Sequence, residues 1–277
     1  MATRLVLEKR LGGWLSEAGD AFVSVFFPAG CRLCDRLLLR ASRIPICENC
    51  LASFARLQGA LCETCGQPLA TWSFGSAPGP QQAPPVSLCP ECQVRTYGFD
   101  RARSFASYKG FLIRAIVLLK FERIEPLGRW FAERLAEVAT QHRLAADIVV
   151  PVPLHRQRER ERGYNQAELF ARPLARKLGL PCRSLLLVRS KPRPDKHILS
   201  LEERWESVRG AFATRPGTQV DNLRVLLVDD VMTTGATLDA CAKALRGAGA
   251  KSVIGLTVAR AARHPMPDSR ESNPRNA

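Results

Sequence analysis

Four Cys-x-x-Cys pairs in the first third of the chain limit its possible folds more than any other feature. The pairs are CRLC at 31–34, CENC at 47–50, CETC at 62–65 and CPEC at 89–92, separated in turn by 12, 11 and 23 residues. A Cys-x-x-Cys turn directs two thiolates at one centre, and two such turns complete a tetrahedral four-sulfur site for zinc. The spacing therefore predicts two zinc ribbons. Because four cysteines leave no open coordination position, we expect both sites to be structural.

The simplest pairing of these cysteines is sequential. It assigns one zinc ion to each of two sets, Cys31, Cys34, Cys47 and Cys50, then Cys62, Cys65, Cys89 and Cys92. Interleaved pairing agrees with the same spacing, so the choice stays open at this point. A disulfide framework is the competing interpretation, but it is disfavoured for a protein of a reducing compartment. Each ion would supply about 10 kcal/mol of folding free energy to a segment with few apolar residues.

The remaining sequence divides by composition. Residues 22–31, FVSVFFPAGC, are similar to an export signal, but the stretch is short and contains Pro28;. We therefore expect a cytoplasmic protein. The predicted segments are an N-terminal amphipathic helix (1–28), the double zinc ribbon (29–95), a flexible insertion in it rich in Pro, Gly, Ser and Gln (70–87), a larger domain (96–260) and a disordered polar tail (261–277);.

Charge and length narrow the class of protein further. The 277 residues are 46% apolar, enough for one sizeable domain beside a small one, and no run of about 18 apolar residues predicts a membrane span;. The formal net charge is +15, from 41 basic and 26 acidic residues. This excess favours polyanionic or phosphorylated partners.

The segment after residue 97 alternates amphipathic helical patterns with short apolar runs. GFLIRAIVLLKF, LGRWFAERLAEVATQHRL and NQAELFARPLARKLG predict helices, the last capped by Asn165, stopped by Gly179 and kinked or restarted at Pro173;. DIVVPVPL, SLLLV, RVLLV and SVIGLTVA predict strands buried on both faces;. The alternation predicts an α/β fold with a doubly wound, mainly parallel sheet.

Two adjacent acids and a hydroxyl-rich loop follow the strand RVLLV. Asp229 and Asp230 come directly after it, then the loop MTTGAT, then the helical pattern TLDACAKALRGAG. In such sheets ligands bind beyond the carboxyl ends of the strands, and the helix N-terminus adds backbone N–H groups and a positive dipole end. The loop therefore predicts a phosphate cradle, and the acids fit a neighbouring diol. An ordinary strand-to-helix turn is the disfavoured alternative.

The 13 residues VLLVDDVMTTGAT resemble the phosphoribosyl pyrophosphate (PRPP) motif of type I phosphoribosyltransferases. The resemblance implies that Asp229 and Asp230 are catalytic and bind the ribose hydroxyls. It also implies that Val231 and Met232 belong to the substrate-binding site, and that the 5′-phosphate is bound by the backbone and hydroxyls of Thr233, Thr234, Gly235, Ala236 and Thr237.

The pyrophosphate half of such a site would lie in VPVPLHRQRERERGYNQAE, which we expect to follow the first strand of the domain. This segment contains Pro153, Leu154, His155, Arg156, Arg158, Arg160 and Arg162. Mg²⁺ is expected to enter with PRPP, because it binds phosphate oxygens and needs few protein ligands. A solvated helix start is the alternative reading of Arg158 and Arg160.

The order of parts resembles the ComF family, including its GntX-like members: a double zinc ribbon followed by a phosphoribosyltransferase-like domain. YKGFLIRAIVLLKF, the segment around HRQRERERGYNQAE, LSLEERWESVRGAF and VLLVDDVMTTGAT carry this likeness over most of residues 20–260. By resemblance, Lys120, Arg162, Asn165 and Gln166 join the wall of the site.

Two functions follow from the resemblance. The first is Mg²⁺-dependent transfer of phosphoribosyl from PRPP to an acceptor, linked to DNA uptake in natural transformation. The alternative is a non-catalytic protein that handles single-stranded DNA and keeps a PRPP-sensing or vestigial pocket, with DNA-uptake or recombination proteins as partners.

Overall fold

The computed structural model describes residues 30–38, 43–69, 87–192 and 201–262. The predicted N-terminal helix, nearly all of the predicted insertion at 70–87 and nearly all of the predicted tail at 261–277 lie outside these ranges. No helix in the described ranges combines the length and the apolar character needed to cross a membrane.

Helices and strands alternate after residue 100, as the sequence predicts. The helices are α1 (Glu48–Ala52), α2 (Pro90–Val94), α3 (Phe111–Phe121), α4 (Glu125–Gln141), α5 (Arg156–Arg162), α6 (Gln166–Leu178), α7 (Leu201–Glu206) and α8 (Ala236–Gly247). The strands are β1 (Arg101–Ser107), β2 (Ile148–Pro151), β3 (Leu187–Arg189), β4 (Phe212–Thr214), β5 (Arg224–Met232) and β6 (Ser252–Arg260).

A four-stranded parallel sheet forms the centre of the larger domain. Its strand order is β1-β6-β5-β2, so the two longest strands occupy its middle. Helices α3, α4 and α6 cover one face with a core that includes Leu119, Phe131 and Phe170. Helix α8 covers the other face through Leu238 and Leu245. The doubly wound, mainly parallel α/β fold is therefore confirmed.

Two strand expectations need correction. The run SLLLV does not join the parallel sheet: β3 pairs antiparallel with β4, and Leu187 lies opposite Thr214. Leu185 in this run is 66% exposed, so the run is not buried on both faces. In addition, β1 precedes β2, which makes β2 the second strand of the domain and not the first. The sequence hid β1 because two of its seven residues are the charged Arg101 and Arg103.

Helix α6 begins and ends where the sequence predicts. Asn165 Oδ1 accepts from the backbone N–H of Ala167 at 3.0 Å, and Gly179 ends the helix in the left-handed conformation. The expected restart at Pro173 is wrong, because one helix continues across this residue. Proline removes the N–H that would reach the Leu169 carbonyl four residues earlier. That carbonyl lies at the close approach of α4, where a Cβ on Gly128 would be 3.0 Å from it.

Candidate functional site

The eight cysteines of the Cys-x-x-Cys pairs form two clusters, and the pairing is sequential. Within each cluster the four sulfur atoms all lie within 4.8 Å of one another; the clusters are Cys31, Cys34, Cys47 and Cys50, and Cys62, Cys65, Cys89 and Cys92. Sulfur–sulfur distances of 3.9 Å (Cys31–Cys50), 3.7 Å (Cys34–Cys47) and 3.6 Å (Cys65–Cys89) fit a tetrahedral zinc ion. Zn–S bonds of about 2.3 Å place tetrahedral sulfurs about 3.8 Å apart.

Backbone N–H groups reinforce both clusters in the same way. Cys47 N donates to Cys31 Sγ and Cys89 N donates to Cys62 Sγ, each at 3.3 Å. The hydrogen bond from Cys65, opposed by burial and aided by backbone N–H groups, lowers the pKa of Cys62 to about 4. Each N–H contact favours the thiolate form of the sulfur that accepts it, and the thiolate is the form that binds metal.

The second cluster is docked directly on β1. Ala102 N donates to Thr64 O at 2.7 Å, so the turn between Cys62 and Cys65 extends the edge of the sheet. Arg103, which is 3% exposed, donates to Glu63 O at 2.9 Å and to Cys62 O at 3.3 Å. The second ribbon therefore packs against the β1 edge of the sheet in the larger domain.

The two acids lie within β5, which extends to Met232 and not only through RVLLV. Asp229 and Asp230 are 9% and 5% exposed, and Asp230 N donates to Asp229 Oδ1 at 2.8 Å. Asp229 lies opposite Thr257 of β6. Both carboxylates thus occupy the carboxyl-terminal part of a central strand.

Three predicted residues from three helices converge on Asp230, two of them by direct contact. Lys120 Nζ, in the last turn of α3, lies 2.9 Å from Asp230 Oδ2, and Gln166 Nε2, at the start of α6, donates to the same oxygen at 2.9 Å. Arg162 donates through Nη1 to Gln166 Oε1. Burial lowers the pKa of Arg162, and the Asp230 carboxylate opposes that shift. The result is a chain of contacts from Arg162 to Lys120.

Asn165 and Tyr164 hold this arrangement in place. Asn165 caps α6 through Oδ1 and donates through Nδ2 to Val152 O at 3.0 Å, which ties the helix to the end of β2. The Tyr164 hydroxyl donates to Leu119 O at 2.6 Å, directly before Lys120, and accepts from Arg123 N at 3.0 Å. Burial raises the pKa of Tyr164, so this hydroxyl keeps its proton at neutral pH.

The loop after β5 has its carbonyl groups held on one side. Arg260 Nη1 donates to Met232 O at 3.0 Å and also to Thr233 O. The Tyr97 hydroxyl lies 3.5 Å from Thr234 O. In a planar trans peptide the C=O and the following N–H point in opposite directions. The N–H groups of residues 233, 234 and 235 therefore point away from Arg260 and Tyr97.

Gly235 makes the turn from this loop into α8. Its φ of 86° is left-handed, and a Cβ there would lie 2.9 Å from Met232 Cε and 3.2 Å from Tyr97 Cε1. Thr234 Oγ1 accepts from Ala236 N at 3.2 Å at the first turn of the helix. Both the conformation and the space at this position require glycine.

The predicted pyrophosphate segment follows β2 and enters α5. Pro153 and Leu154 are half-buried, and His155 Nδ1 accepts from Gln157 N at 3.4 Å as the cap of α5. Arg156 and Arg160 are exposed on this helix, and Arg158 is half-buried. The structure thus brings Gln166, and Arg162 through it, to Asp230, and it brings Asn165 to the end of β2, while Arg156 and Arg160 face solvent.

Sequence reasoning missed Arg260, Tyr97 and Tyr164, which position the loop and the Lys120 helix. Arg260 carried one signal, since it is the charged residue that ends the apolar run SVIGLTVAR, and it is 1% exposed. The two tyrosines carried none, because their partners lie 41 or more residues away in sequence.

Family comparisons agree with these two parts of the chain. The phosphoribosyl transferase domain family matches residues 165–272, and the double zinc ribbon domain family matches residues 22–93. The fold and the cysteine clusters therefore define a phosphoribosyltransferase-type domain that follows a double zinc ribbon.

Relatives identify the family more closely. The chain is 32% identical to the DNA utilization protein YhgH of Salmonella typhimurium over 231 residues, which cover 82% of this chain and 94% of the relative. It is 28% identical to the Competence protein ComFC of Bacillus subtilis over 252 residues, covering 83% and 94%. The chain belongs to the ComF family.

Among solved structures, the chain is similar to the glutamine PRPP amidotransferase from B. subtilis complexed with ADP and GMP. The two are 24% identical, the likeness covers 48% of this chain and 26% of that chain, and the TM-score is 0.34.

Proposed function

We propose that this protein binds PRPP with Mg²⁺ at the carboxyl end of β5 and transfers the phosphoribosyl group to an acceptor. The observation that carries the proposal is the placement of two buried carboxylates, Asp229 and Asp230, beside the loop after β5. The carbonyl groups of this loop are held on one side, so the N–H groups of residues 233–235 point to the other side. A ribose 5-phosphate needs this combination, because its diol donates hydrogen bonds and its phosphate accepts them.

Each end of the site has a separate task in the proposal. Asp229 and Asp230 accept hydrogen bonds from the ribose 2′- and 3′-hydroxyls, while the backbone and hydroxyls of residues 233–237 bind the 5′-phosphate. The pyrophosphate faces the segment from Pro153 to Arg162, in which His155 and Arg156 are the first ionisable side chains after β2. The hydrogen bond from Asn165 Nδ2 to Val152 O fixes the position of this segment and of α6 relative to β2.

In the transfer, the bond between ribose C1 and the pyrophosphate oxygen breaks and a bond from C1 to the acceptor forms. The acceptor loses a proton, and pyrophosphate takes the bonding electron pair. The charge of Asp229 and Asp230 stabilises the positive charge that develops on the ribose, and basic residues stabilise the leaving group. Mg²⁺, for which the two carboxylates are suitable oxygen ligands, would neutralise the charge of the pyrophosphate when bound.

Calorimetric titration with PRPP tests the binding step. We expect saturable binding that requires Mg²⁺ in the zinc-loaded protein, and a dissociation constant at least about 100-fold higher after Asp229→Asn with Asp230→Asn. Asp147→Asn is the matched control, because this exposed acid pairs with Arg224 at the opposite end of the sheet. Equal PRPP affinity in the double variant and the control, or no binding by folded wild type, would contradict the proposal.

The second candidate is the handling of single-stranded DNA, with DNA-uptake or recombination proteins as partners. The observation that favours it is the exposure of Arg156 and Arg160 on α5 in a chain of net charge +15. The names of the relatives also point to DNA use. Binding through these side chains should weaken steeply between 50 and about 200 mM salt, and Arg156→Ala with Arg160→Ala should reduce that slope by about 2. Salt-independent DNA affinity excludes this candidate.

We also propose that the protein is cytoplasmic, because clusters of metal-binding thiols persist in a reducing compartment. Zinc content of protein purified from the cytoplasmic fraction of the native cell tests this placement.

A further inference from the structure

Arg260 connects the second cysteine cluster to the phosphate loop. Its guanidinium is almost fully enclosed, with 1% of the residue exposed. Nη2 lies 3.7 Å from Cys65 Sγ, while Nη1 donates to Met232 O at 3.0 Å and to Thr233 O. One planar side chain therefore contacts a predicted zinc ligand and two consecutive carbonyls of the loop.

A zinc ion would fix both the geometry and the charge of the second cluster. Four thiolates around one zinc ion carry a net charge of −2 and are held at one centre. A buried cation without a counter-charge is costly, so the zinc-loaded cluster favours the enclosed position of the arginine. Loss of zinc releases Cys65 Sγ from its fixed position 3.7 Å from Arg260 Nη2.

The position of Arg260 decides the orientation of the loop. Because it holds the carbonyls of Met232 and Thr233, the N–H groups of Thr233 and Thr234 point to the opposite side;. Without these hydrogen bonds the peptide plane between Thr233 and Thr234 can rotate, while Ala261 N still donates to Met232 O at 3.0 Å. Binding of the phosphate would then have to order the loop, and the conformational entropy lost in doing so weakens the binding.

We infer that Arg260 is a positioning residue that couples zinc in the second cluster to anion binding by the loop of residues 233–237. This inference rests on the proposed function for the identity of the ligand, but not for the coupling between zinc and loop. By linkage, zinc at this cluster strengthens phosphate-ligand binding, and the bound ligand raises the affinity of the cluster for zinc by the same factor.

The first ribbon has no part in this coupling. Its described contacts go to α3 and the residue after it, where Arg114 Nη1 donates to Leu33 O at 2.6 Å and Arg32 pairs with Glu122. The segment after Cys50 contacts β1 and α4, through Ser107 N, which donates to Ala55 O at 2.8 Å, and through Phe54, which packs on Trp130. The inference therefore distinguishes the two clusters. Matched variants exist, because Cys50 and Cys92 occupy equivalent positions in the short helices α1 and α2.

Hydrogen exchange of the loop amides tests the coupling without any ligand. In the full chain, we expect Cys92→Ser to speed exchange of the Ala236 amide, which donates to Thr234 Oγ1 in the loop, by about tenfold or more, and Cys50→Ser to leave it within about twofold, since tenfold corresponds to the loss of one good hydrogen bond;. Zinc analysis confirms that each variant has lost one ion. Equal exchange in both variants, either unchanged or raised, would overturn the inference.

Arginine variants test the same coupling when a cysteine variant fails to fold. Arg260→Lys keeps the charge but loses the planar fork, so loop exchange should rise about tenfold. Arg103→Lys is the control, because Arg103 contacts the same ribbon through Glu63 O and Cys62 O without reaching the loop. It should speed zinc loss to a chelator and leave the loop exchange unchanged. Identical behaviour of the two variants would refute a specific role for Arg260.

Ligand experiments then separate this inference from the proposed function. If PRPP with Mg²⁺ binds, its dissociation constant should rise about tenfold in Arg260→Lys and stay unchanged in Arg103→Lys, and PRPP should slow zinc loss from wild type only at the second cluster. If PRPP does not bind to wild type, the proposed function fails, and the exchange result alone decides the coupling.

Discussion

Lys120 Nζ and Asp230 Oδ2 lie 2.9 Å apart and join the last turn of α3 to the end of β5. The side chains are 23% and 8% exposed, so the ion pair is mostly shielded from water. Gln166 Nε2 donates to the same oxygen, which places the carboxylate between two helices. The attraction between the two charges is stronger where water is excluded. Removing one of the two side chains leaves the other charge buried without a partner, which destabilises the folded protein.

Removing the lysine should therefore cost more than neutralising the acid. We expect Lys120→Met to lower the free energy of unfolding by about 1–3 kcal/mol, because it leaves a buried carboxylate with less compensation. Asp230→Asn should cost less, because the amide oxygen still accepts from Gln166. Urea unfolding of both variants and of the double variant measures the interaction energy. Additivity within about 0.5 kcal/mol would mean that the two side chains do not interact.

Two variants of Asn165 distinguish the contributions of its two hydrogen bonds to stability. Asn165→Ala removes both the cap on Ala167 N and the donor to Val152 O, and should cost about 1–2 kcal/mol of stability;. Asn165→Asp keeps the cap and loses only the donor.

We expect thermal unfolding to rank the aspartate variant between wild type and the alanine variant. PRPP affinity should fall in both, because the Val152 contact fixes the predicted pyrophosphate segment relative to α6. An aspartate variant as unstable as the alanine variant would show that the cap contributes little.

The parts of the site that the sequence predicts are those that local rules determine. The geometry of the run from Val225 to Thr237 can be predicted from its local sequence, because a buried strand, two acids, a glycine turn and a helix start are contiguous in the chain. The caps at Asn165 and Gly179 are equally local. Sequential pairing of the cysteines needed the structure, since spacing alone allows an interleaved arrangement.

The parts that the sequence hides depend on distant contacts. Lys120 and Gln166 were assigned by family resemblance, and their meeting at Asp230 joins residues 110 and 64 positions apart. Arg103 and Arg260 are charged residues in buried strands, where the apolar pattern predicts none. Each is tolerated because ribbon or loop carbonyls accept its hydrogen bonds, and no periodicity encodes such a partner;.

Chelation should separate the zinc sites from the other cysteines. We expect two zinc ions per chain in the native protein, and a large loss of stability when a strong chelator removes them, because each structural ion contributes about 10 kcal/mol to folding. Cys182→Ser is the control, since this half-buried thiol lies outside both clusters, 3.7 Å from Ser184 Oγ.

This control variant should keep two ions and unfold at the wild-type temperature. Elemental analysis together with thermal unfolding gives both readouts. A wild-type content of one ion per chain would contradict the assignment of two complete four-sulfur sites.

Gly235 should be far less tolerant of substitution than Gly247, although both border the same helix. Gly235→Ala forces a Cβ into a left-handed residue, 2.9 Å from Met232 Cε and 3.2 Å from Tyr97 Cε1. We expect a loss of about 1–3 kcal/mol in the free energy of unfolding and at least tenfold weaker PRPP binding, since the loop must shift to relieve the contact.

A Cβ on Gly247, at the end of α8, meets no atom within 4 Å. Gly247→Ala should therefore be neutral or stabilise the protein by up to about 1 kcal/mol, because it reduces the freedom of the unfolded chain. Urea unfolding and calorimetry on both variants provide the comparison. Equal stability and PRPP affinity in the two alanine variants would show that the loop accommodates a side chain at residue 235, against the close packing on which the proposed phosphate site depends.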